Sequence, residues 1–427
     1  MQTSKIKEAF SQNDKLKETL SYIYGSKDAV TAQTARYLKA VDEFELLFGK
    51  DRESELYSAP GRTEIGGNHT DHQCGRVLAA AVNLDCIAVV SRNENNVITI
   101  KSEGHKMDSV DLSVLDAIPN EVGGAAALIR GVAARFKMLG YNIGGFDAYT
   151  TSNVLAGSGL SSSAAFEVLI GTVLNHMFNQ NAVDAVKIAQ IGQYAESKYF
   201  GKPCGLMDQT TSSVGGFVQI DFKDKENPIV NKIDLDFANS GYALCIVNTG
   251  GNHADLTDDY AAIPREMLDI SKHFNKEVLR QVDKEDFFSQ IGSLHGKVSD
   301  RAILRAIHFF DDNDRVPKQV DALKSNNFNE FMQLIIESGR SSFMYLQNVF
   351  SCTNASEQRI SLALAISEKK LAGCGAWRVH GGGFAGTIQA FVPKEKLEGY
   401  KETIEAVFGE GSCYVLSIRS VGGIKIL

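Results

Sequence analysis

The chain lacks most of the signposts that settle a function early. Its seven cysteines form no CxxC pair and no even spacing, which argues against a disulfide framework and for free thiols in a reducing compartment. No apolar run reaches the roughly 18 residues that a membrane helix needs. The first residues, Met1 to Lys17, are polar and charged rather than a secretory leader. A cytoplasmic protein with no membrane partner is expected. Positive charge is not in excess: the net charge is −8, so no nucleic-acid partner is expected either, although a local site could still take a small polyanion. There is no GxxxxGK[ST], which argues against a P-loop enzyme, and no GxSxG elbow. His69 and His72 have no matching Cys or Glu pattern and are too few for a zinc site. Internal repeats and low-complexity tracts are absent.

What is present is a long chain of alternating texture. At 427 residues it exceeds one ordinary domain. Residues 1–50 read as helical, with apolar residues at helical spacing in "AQTARYLKAVDEFELLFG". Beyond them, strand-like runs alternate with helical patterns: "VLAAAVNLDCIAVV", "VITIKS", "FDAYTTSNVL", "GFVQIDF" and "YALCIVNT". The region 261–370 is mostly helical, and strand texture returns in "WRVH", "GTIQAFV", "CYVLSIRS" and "GIKIL". The polar stretch 221–234 is the best boundary candidate. These observations predict a helical extension over 1–50 and two α+β domains, 51–230 and 231–427.

Three polar clusters interrupt this pattern. "APGRTEIGGNHTDHQCG", residues 59–75, sets Arg, Glu, Asn, two His and Asp against the apolar run Val77 to Val90. "VLAGSGLSSSAAFEVLIGTVLNHMF", residues 154–178, leads from an extended segment through a Gly/Ser loop into a helix carrying Ala165, Val168, Leu169, Thr172 and Val173 on one side. Such a helix start presents unpaired N–H groups and a positive dipole end, which hold phosphate; a plain turn with serine caps is the alternative. "VHGGGFAG", residues 379–386, matches GxGxxG, but the strand-like "TIQAFV" follows where a dinucleotide site needs a helix. A glycine loop between two strands, packed on a ligand or another backbone, fits better.

Two carboxylates stand out further along. Ile188 and Gly192 lie on the apolar stripe of a helix, and a further step of four reaches Glu196. A carboxylate there must be paired or bound to metal, unless the helix turns outward near its end. In "CGLMDQ", Asp208 sits beside Leu206 and Met207, as a base, a cation-held group or an ordinary loop aspartate.

Together these residues resemble the GHMP superfamily of small-molecule kinases, and within it the galactokinases. "GRTEIGGNHTDH" looks like the signature of that family, "GSGLSSSAA" like its ATP loop, "HGGGFAG" like its third motif, and "AESKYFGKPCGLMDQ" like its metal and catalytic segment. The likeness covers nearly the whole chain after about residue 40. It implies a two-domain α+β GHMP kinase fold with the active site in the cleft between the domains. The implied activity is transfer of the γ-phosphoryl of ATP to the anomeric hydroxyl of galactose, with Mg²⁺ as cofactor and only the small sugar and nucleotide as partners, in a monomer.

The resemblance also implies roles. Asp208 would be the base at the anomeric hydroxyl, with Arg62 near it and the transferring phosphoryl group. Gly157, Ser158, Gly159, Leu160, Ser161, Ser162 and Ser163 would surround the ATP phosphates. Ser163 and Glu196 would hold Mg²⁺. Asn68, His69, Thr70, Asp71, Gly205 and Tyr260 would contact the sugar. The chain departs from the family's "GEHTDY" with Asn68 and His72, and from its usual Val, Asn and Ile with Thr63, Glu64 and Gly66. An amide at 68 keeps hydrogen-bonding ability but drops the negative charge that reads the sugar near its sixth carbon; a tolerated swap that still binds galactose is the favoured reading, and admission of an acidic sugar such as galacturonate is the alternative. A third possibility is a sugar sensor on a kinase fold, disfavoured because Arg62, Glu196, Asp208 and the serine loop are all intact.

Overall fold

The computed structural model describes residues 1–25, 27–154, 159–250 and 256–427. Twelve strands are found among them: β1 (Glu55–Gly66), β2 (Arg76–Arg92), β3 (Val97–Ser102), β4 (Met107–Asp111), β5 (Phe146–Ser152), β6 (Phe217–Asp221), β7 (Ile229–Ile233), β8 (Tyr242–Asn248), β9 (Ala376–Val379), β10 (Thr387–Pro393), β11 (Cys413–Leu416) and β12 (Ile424–Lys425). They form two sheets. The larger runs β12-β1-β2-β5-β3-β4, with β6 and β7 branching from β2, and the smaller runs β11-β8-β10-β9. Every strand-like run read from the sequence is a strand.

The larger sheet is covered on both faces because β2 alternates. Ala88 and Val90 point into the main core, while Ile87 and Val89 point the other way. Onto that second side pack the N-terminal helices Thr3–Gln12, Asp14–Tyr24 and Lys27–Phe48, through Ile6, Phe10, Leu20, Tyr37, Val41 and Phe44. The buried Asp85 of β2 pins them there, accepting from Tyr24 at 2.6 Å and Arg36 at 2.5 Å. The main core also takes Leu244, Ile246, Phe391 and Leu416 from the smaller sheet, so one apolar interior spans both halves.

The boundary expected at 221–234 is not a linker. β6 and β7 pair as an antiparallel hairpin, Asp221 opposite Ile229 and Phe217 opposite Ile233, so 230/231 falls inside a strand. The stretch reads as polar because only Ile233 of β7 is buried. The chain also returns to its beginning: β12 pairs with β1 through Tyr57 and Lys425. A cut into 51–230 and 231–427 therefore separates strands that hydrogen-bond to each other.

Candidate active site

The first cluster is half strand. β1 runs through Arg62 and Glu64, and its register against β2 slips between Pro60 and Arg62 and again between Glu64 and Gly66. Bulges of this kind re-aim side chains. Arg62 uses the first: its backbone N–H donates to the Leu160 carbonyl at 2.9 Å and its Nη1 to the Gly159 carbonyl, which ties β1 to the serine loop.

Arg62 then forks onto Asp208. Nε donates to Oδ1 at 2.8 Å and Nη2 to Oδ2 at 2.6 Å, the planar bidentate pairing that arginine favours. Ser161 Oγ donates to the same Oδ2 at 2.6 Å. Asp208 stands in the first turn of the helix Met207–Val214, where a negative charge meets the positive end of the dipole. Burial pushes its carboxyl up, but Arg62, Ser161 and Lys202 outweigh that and hold it below the ordinary aspartate value. Held below its ordinary value, the carboxyl is ionised, and its side chain is 30 % exposed.

Glu196 forms the second pole. The helix Ala185–Ala195 buries Ile188, Ala189 and Gly192, as its stripe predicts, then loosens into a π turn over Glu196–Phe200. Such a widening is frequent at functional sites. Glu196 is 2 % exposed, on the buried side as expected from its spacing. Its Oε1 accepts from Ser163 Oγ at 3.0 Å and Lys202 Nζ at 2.9 Å, and its Oε2 from Gln209 Nε2 at 2.8 Å. Gln209 also donates to Glu167 at 2.9 Å, whose carboxyl is pushed well above the ordinary range by burial and by Glu196. A hydroxyl and a carboxylate are hard oxygen donors of the kind Mg²⁺ takes. Among the described residues no group of three or more His, Cys, Asp or Glu could hold a metal alone.

The serine loop leads into the helix Ser162–Asn179. Ser161, just before it, has a left-handed backbone (φ 60°), and its own side chain does not cap the helix. The five helix positions expected to face the core are buried. Leu160 is fully buried, so only its backbone is offered to the loop. Gly157 and Ser158 lie outside the described residues.

The sugar-contact candidates divide. Asp71 lies with its carboxylate against Gly205, where a Cβ would stand 2.5 Å from Oδ2, so a side chain there would push the carboxylate aside. Both line a cleft of about 910 Å³ together with His72, Cys204 and Leu206. His69 Nε2 donates to the Gly382 carbonyl at 3.0 Å; burial and the nearby His72 lower its pKa to about 3, leaving a neutral ring with Nδ1 as an acceptor. Tyr260 donates its hydroxyl to the Gly383 carbonyl at 2.8 Å, and its ring covers Gly382, where any side chain would strike it. The glycine loop indeed joins two antiparallel strands, β9 and β10, and packs on backbone: a Cβ at Gly383 would collide with the Asn348 carbonyl.

Asn68 and Thr70 depart from expectation. Both are 0 % exposed. Asn68 Nδ2 donates to Glu64 at 2.9 Å and the Gly381 carbonyl at 2.7 Å, while Oδ1 accepts from Asn348 at 2.8 Å and Ser342 at 3.2 Å. All four bonding positions of the amide are filled by protein. Thr70 Oγ1 contacts the Gly67 carbonyl at 2.9 Å and the Arg76 carbonyl at 2.6 Å, bracing its own turn. Neither offers a group to the cleft. The reason is the fold: Asp312, from the helix Asp300–Lys324, accepts the backbone N–H of Gly67 at 3.1 Å and of Asn68 at 2.8 Å and draws the turn inward. Glu64 pairs with the buried Arg378 at 2.9 Å, and burial raises its pKa to about 7 despite Arg378 and Arg62. The carboxyl missing at 68 is thus present at 64, facing inward, with its charged form disfavoured by burial.

Sequence reading missed Lys202, Gln209, Arg378 and Asp312. Gln209 follows Asp208 directly, and a polar residue opening a helix beside a base was the available signal. Lys202 sits in an irregular loop, and Asp312 and Arg378 lie far along the chain, so no periodicity announced them.

Comparison with known proteins places this geometry in a class first. Residues 127–216 match the GHMP kinases N-terminal domain, and residues 42–92 match the galactokinase galactose-binding signature. The mevalonate kinase of Methanococcus jannaschii shares the fold at a TM-score of 0.61 and 15 % identity, over 86 % of this chain and 98 % of that one. The chain is thereby a small-molecule kinase of the GHMP class.

Within that class the likeness narrows. A galactokinase from Clostridium beijerinckii is 30 % identical over 394 residues, covering 88 % of this chain and 96 % of its own. The Lactococcus lactis galactokinase complexed with galactose has a TM-score of 0.78 at 24 % identity, over 91 % of this chain and all of that one. The chain belongs to the galactokinase family.

Proposed function

We propose that this protein phosphorylates galactose on its anomeric hydroxyl with ATP, giving galactose 1-phosphate and ADP. The observation that carries the reading is the meeting of Arg62, Asp208 and Ser161 within hydrogen-bonding distance, beside the Ser163–Glu196 pair. Phosphoryl transfer asks the protein for position and for positive charge more than for covalent chemistry. Asp71, His69 and the Gly205 backbone grip the sugar so that its anomeric hydroxyl meets Asp208. Asp208, kept ionised by Arg62, accepts that hydroxyl's proton as the oxygen attacks the γ-phosphorus. Arg62 faces the negative charge that builds on the transferring group. The start of the helix Ser162–Asn179, which the Ser161 side chain does not cap, receives the remaining phosphates. Mg²⁺, when bound with ATP, would be held by Ser163 and Glu196 and would neutralise charge on the phosphate oxygens.

The internal bonding of Asn68 removes the motive for an acidic sugar, since an amide that does not reach the cleft does not read the sixth carbon. A location in the cytoplasm accords with seven free thiols. The test is ADP release across a panel of aldoses and uronates. Galactose is expected to turn over fastest. Preferred turnover of galacturonate, or binding without turnover of any sugar, would overturn the reading.

A further inference from the structure

Lys202 belongs to none of the groups that the transfer requires, yet its ammonium lies on one of them. It stands between the π turn Glu196–Phe200 and the helix Met207–Val214. Its Nζ donates at 2.9 Å to Glu196 Oε1, the same oxygen that Ser163 contacts at 3.0 Å. Among the described residues it is the cation paired with Glu196. A carboxylate that buried needs a counter-charge. The lysine side chain itself is 61 % exposed, so its four-carbon stem can swing the charge aside without disturbing the core.

We propose that Lys202 is a displaceable counter-ion for Glu196: its ammonium occupies the carboxylate oxygen that a divalent cation arriving with ATP would take, and it gives way to that cation. The inference rests on reading Ser163 and Glu196 as ligands of the nucleotide's cation. An ammonium and a divalent cation repel each other at contact distance, so one oxygen serves one of them at a time. With Lys202 in place, Glu196 is neutralised before any metal arrives, and a polyphosphate can approach. Without it, a bare buried carboxylate faces the phosphates until a metal neutralises it. Lys202 therefore acts through Glu196 as a positioning residue, and it loosens the site's dependence on divalent metal for holding nucleotide.

The test is calorimetric binding of a non-hydrolysable ATP analogue to the full chain, in EDTA and in excess Mg²⁺. Lys202→Met should weaken metal-free binding about tenfold while leaving Mg²⁺-nucleotide binding unchanged or tighter. Lys202→Arg should stay near wild type in both conditions. Should the Met variant fail to fold, Lys202→Gln carries the same comparison. Equal losses in the two conditions would make Lys202 an ordinary phosphate contact, and no loss in either would leave it no role; both results overturn the proposal. Glu196→Gln separates the underlying reading. It should abolish the gain in nucleotide affinity on adding Mg²⁺, and if the full gain persists, Glu196 is not a metal ligand, whatever Lys202 does.

Discussion

The two ends of the site use charge in opposite ways. At one end, Asp208 is 30 % exposed and is paired with Arg62, itself 9 % exposed. At the signature turn, Asn68, Thr70 and Asp312 are fully enclosed and bond only to protein. The first carboxylate is partly open to solvent. The enclosed set builds the rigid frame on which His69 and Asp71 stand. The short sequence 62–71 contains both, so nearness in sequence does not assign a common task. A polar residue inside a signature can act on the substrate only through its neighbours.

This contrast yields a graded series of effects. Asp208→Asn should lower turnover by about three orders of magnitude, within the range of a positioned general base, while calorimetric sugar affinity changes only a few-fold. Equal losses in both would turn Asp208 into a pocket wall and erase the distinction between the two ends.

Asp312→Asn should act on stability instead, costing about 3 kcal/mol in urea denaturation, because it leaves Arg315 and two backbone N–H groups poorly satisfied. Burial pushes the Asp312 carboxyl up, but His308, Arg315 and Arg378 prevail and bring its pKa down to about 2 from 3.8. The folded value is the lower one, so the stabilisation is complete above pH 3.8 and is lost as pH falls through about 2. The wild type should lose stability across that window more steeply than the variant.

Asn68→Ala should cost about 2 kcal/mol of stability and leave the ratio of galactose to galacturonate turnover where it was. A shifted ratio would return Asn68 to the cleft and break the comparison at its weakest expected effect.

Much of the phosphoryl side was legible because its logic is local. The step of four through Ile188 and Gly192 to Glu196 puts the carboxylate on the buried stripe of a single helix, and Asp208 lies beside apolar residues at the start of another. Most strands were legible from their runs of alternating and β-branched residues. β1 was not, because Pro60, Gly61, Arg62 and Glu64 break up its apolar pattern. β4 and β7 were not, because "MDSVD" and "IVNKI" are edge strands with one buried residue each. The inward setting of Asn68 was also hidden, since its partners come from Ser342, Asn348 and Gly381, more than 270 positions away. A one-dimensional pattern shows that a residue is polar, but not which neighbour will use it.

The most direct test is a crystal structure with galactose and a non-hydrolysable ATP analogue bound together. The account predicts the anomeric oxygen within hydrogen-bonding distance of Asp208, the terminal phosphate facing Arg62 and the start of the Ser162–Asn179 helix, and Asn68 still bonded to Glu64 out of reach of the sugar. A galactose lying away from Asp208, or gripped directly by the Asn68 amide, would contradict it.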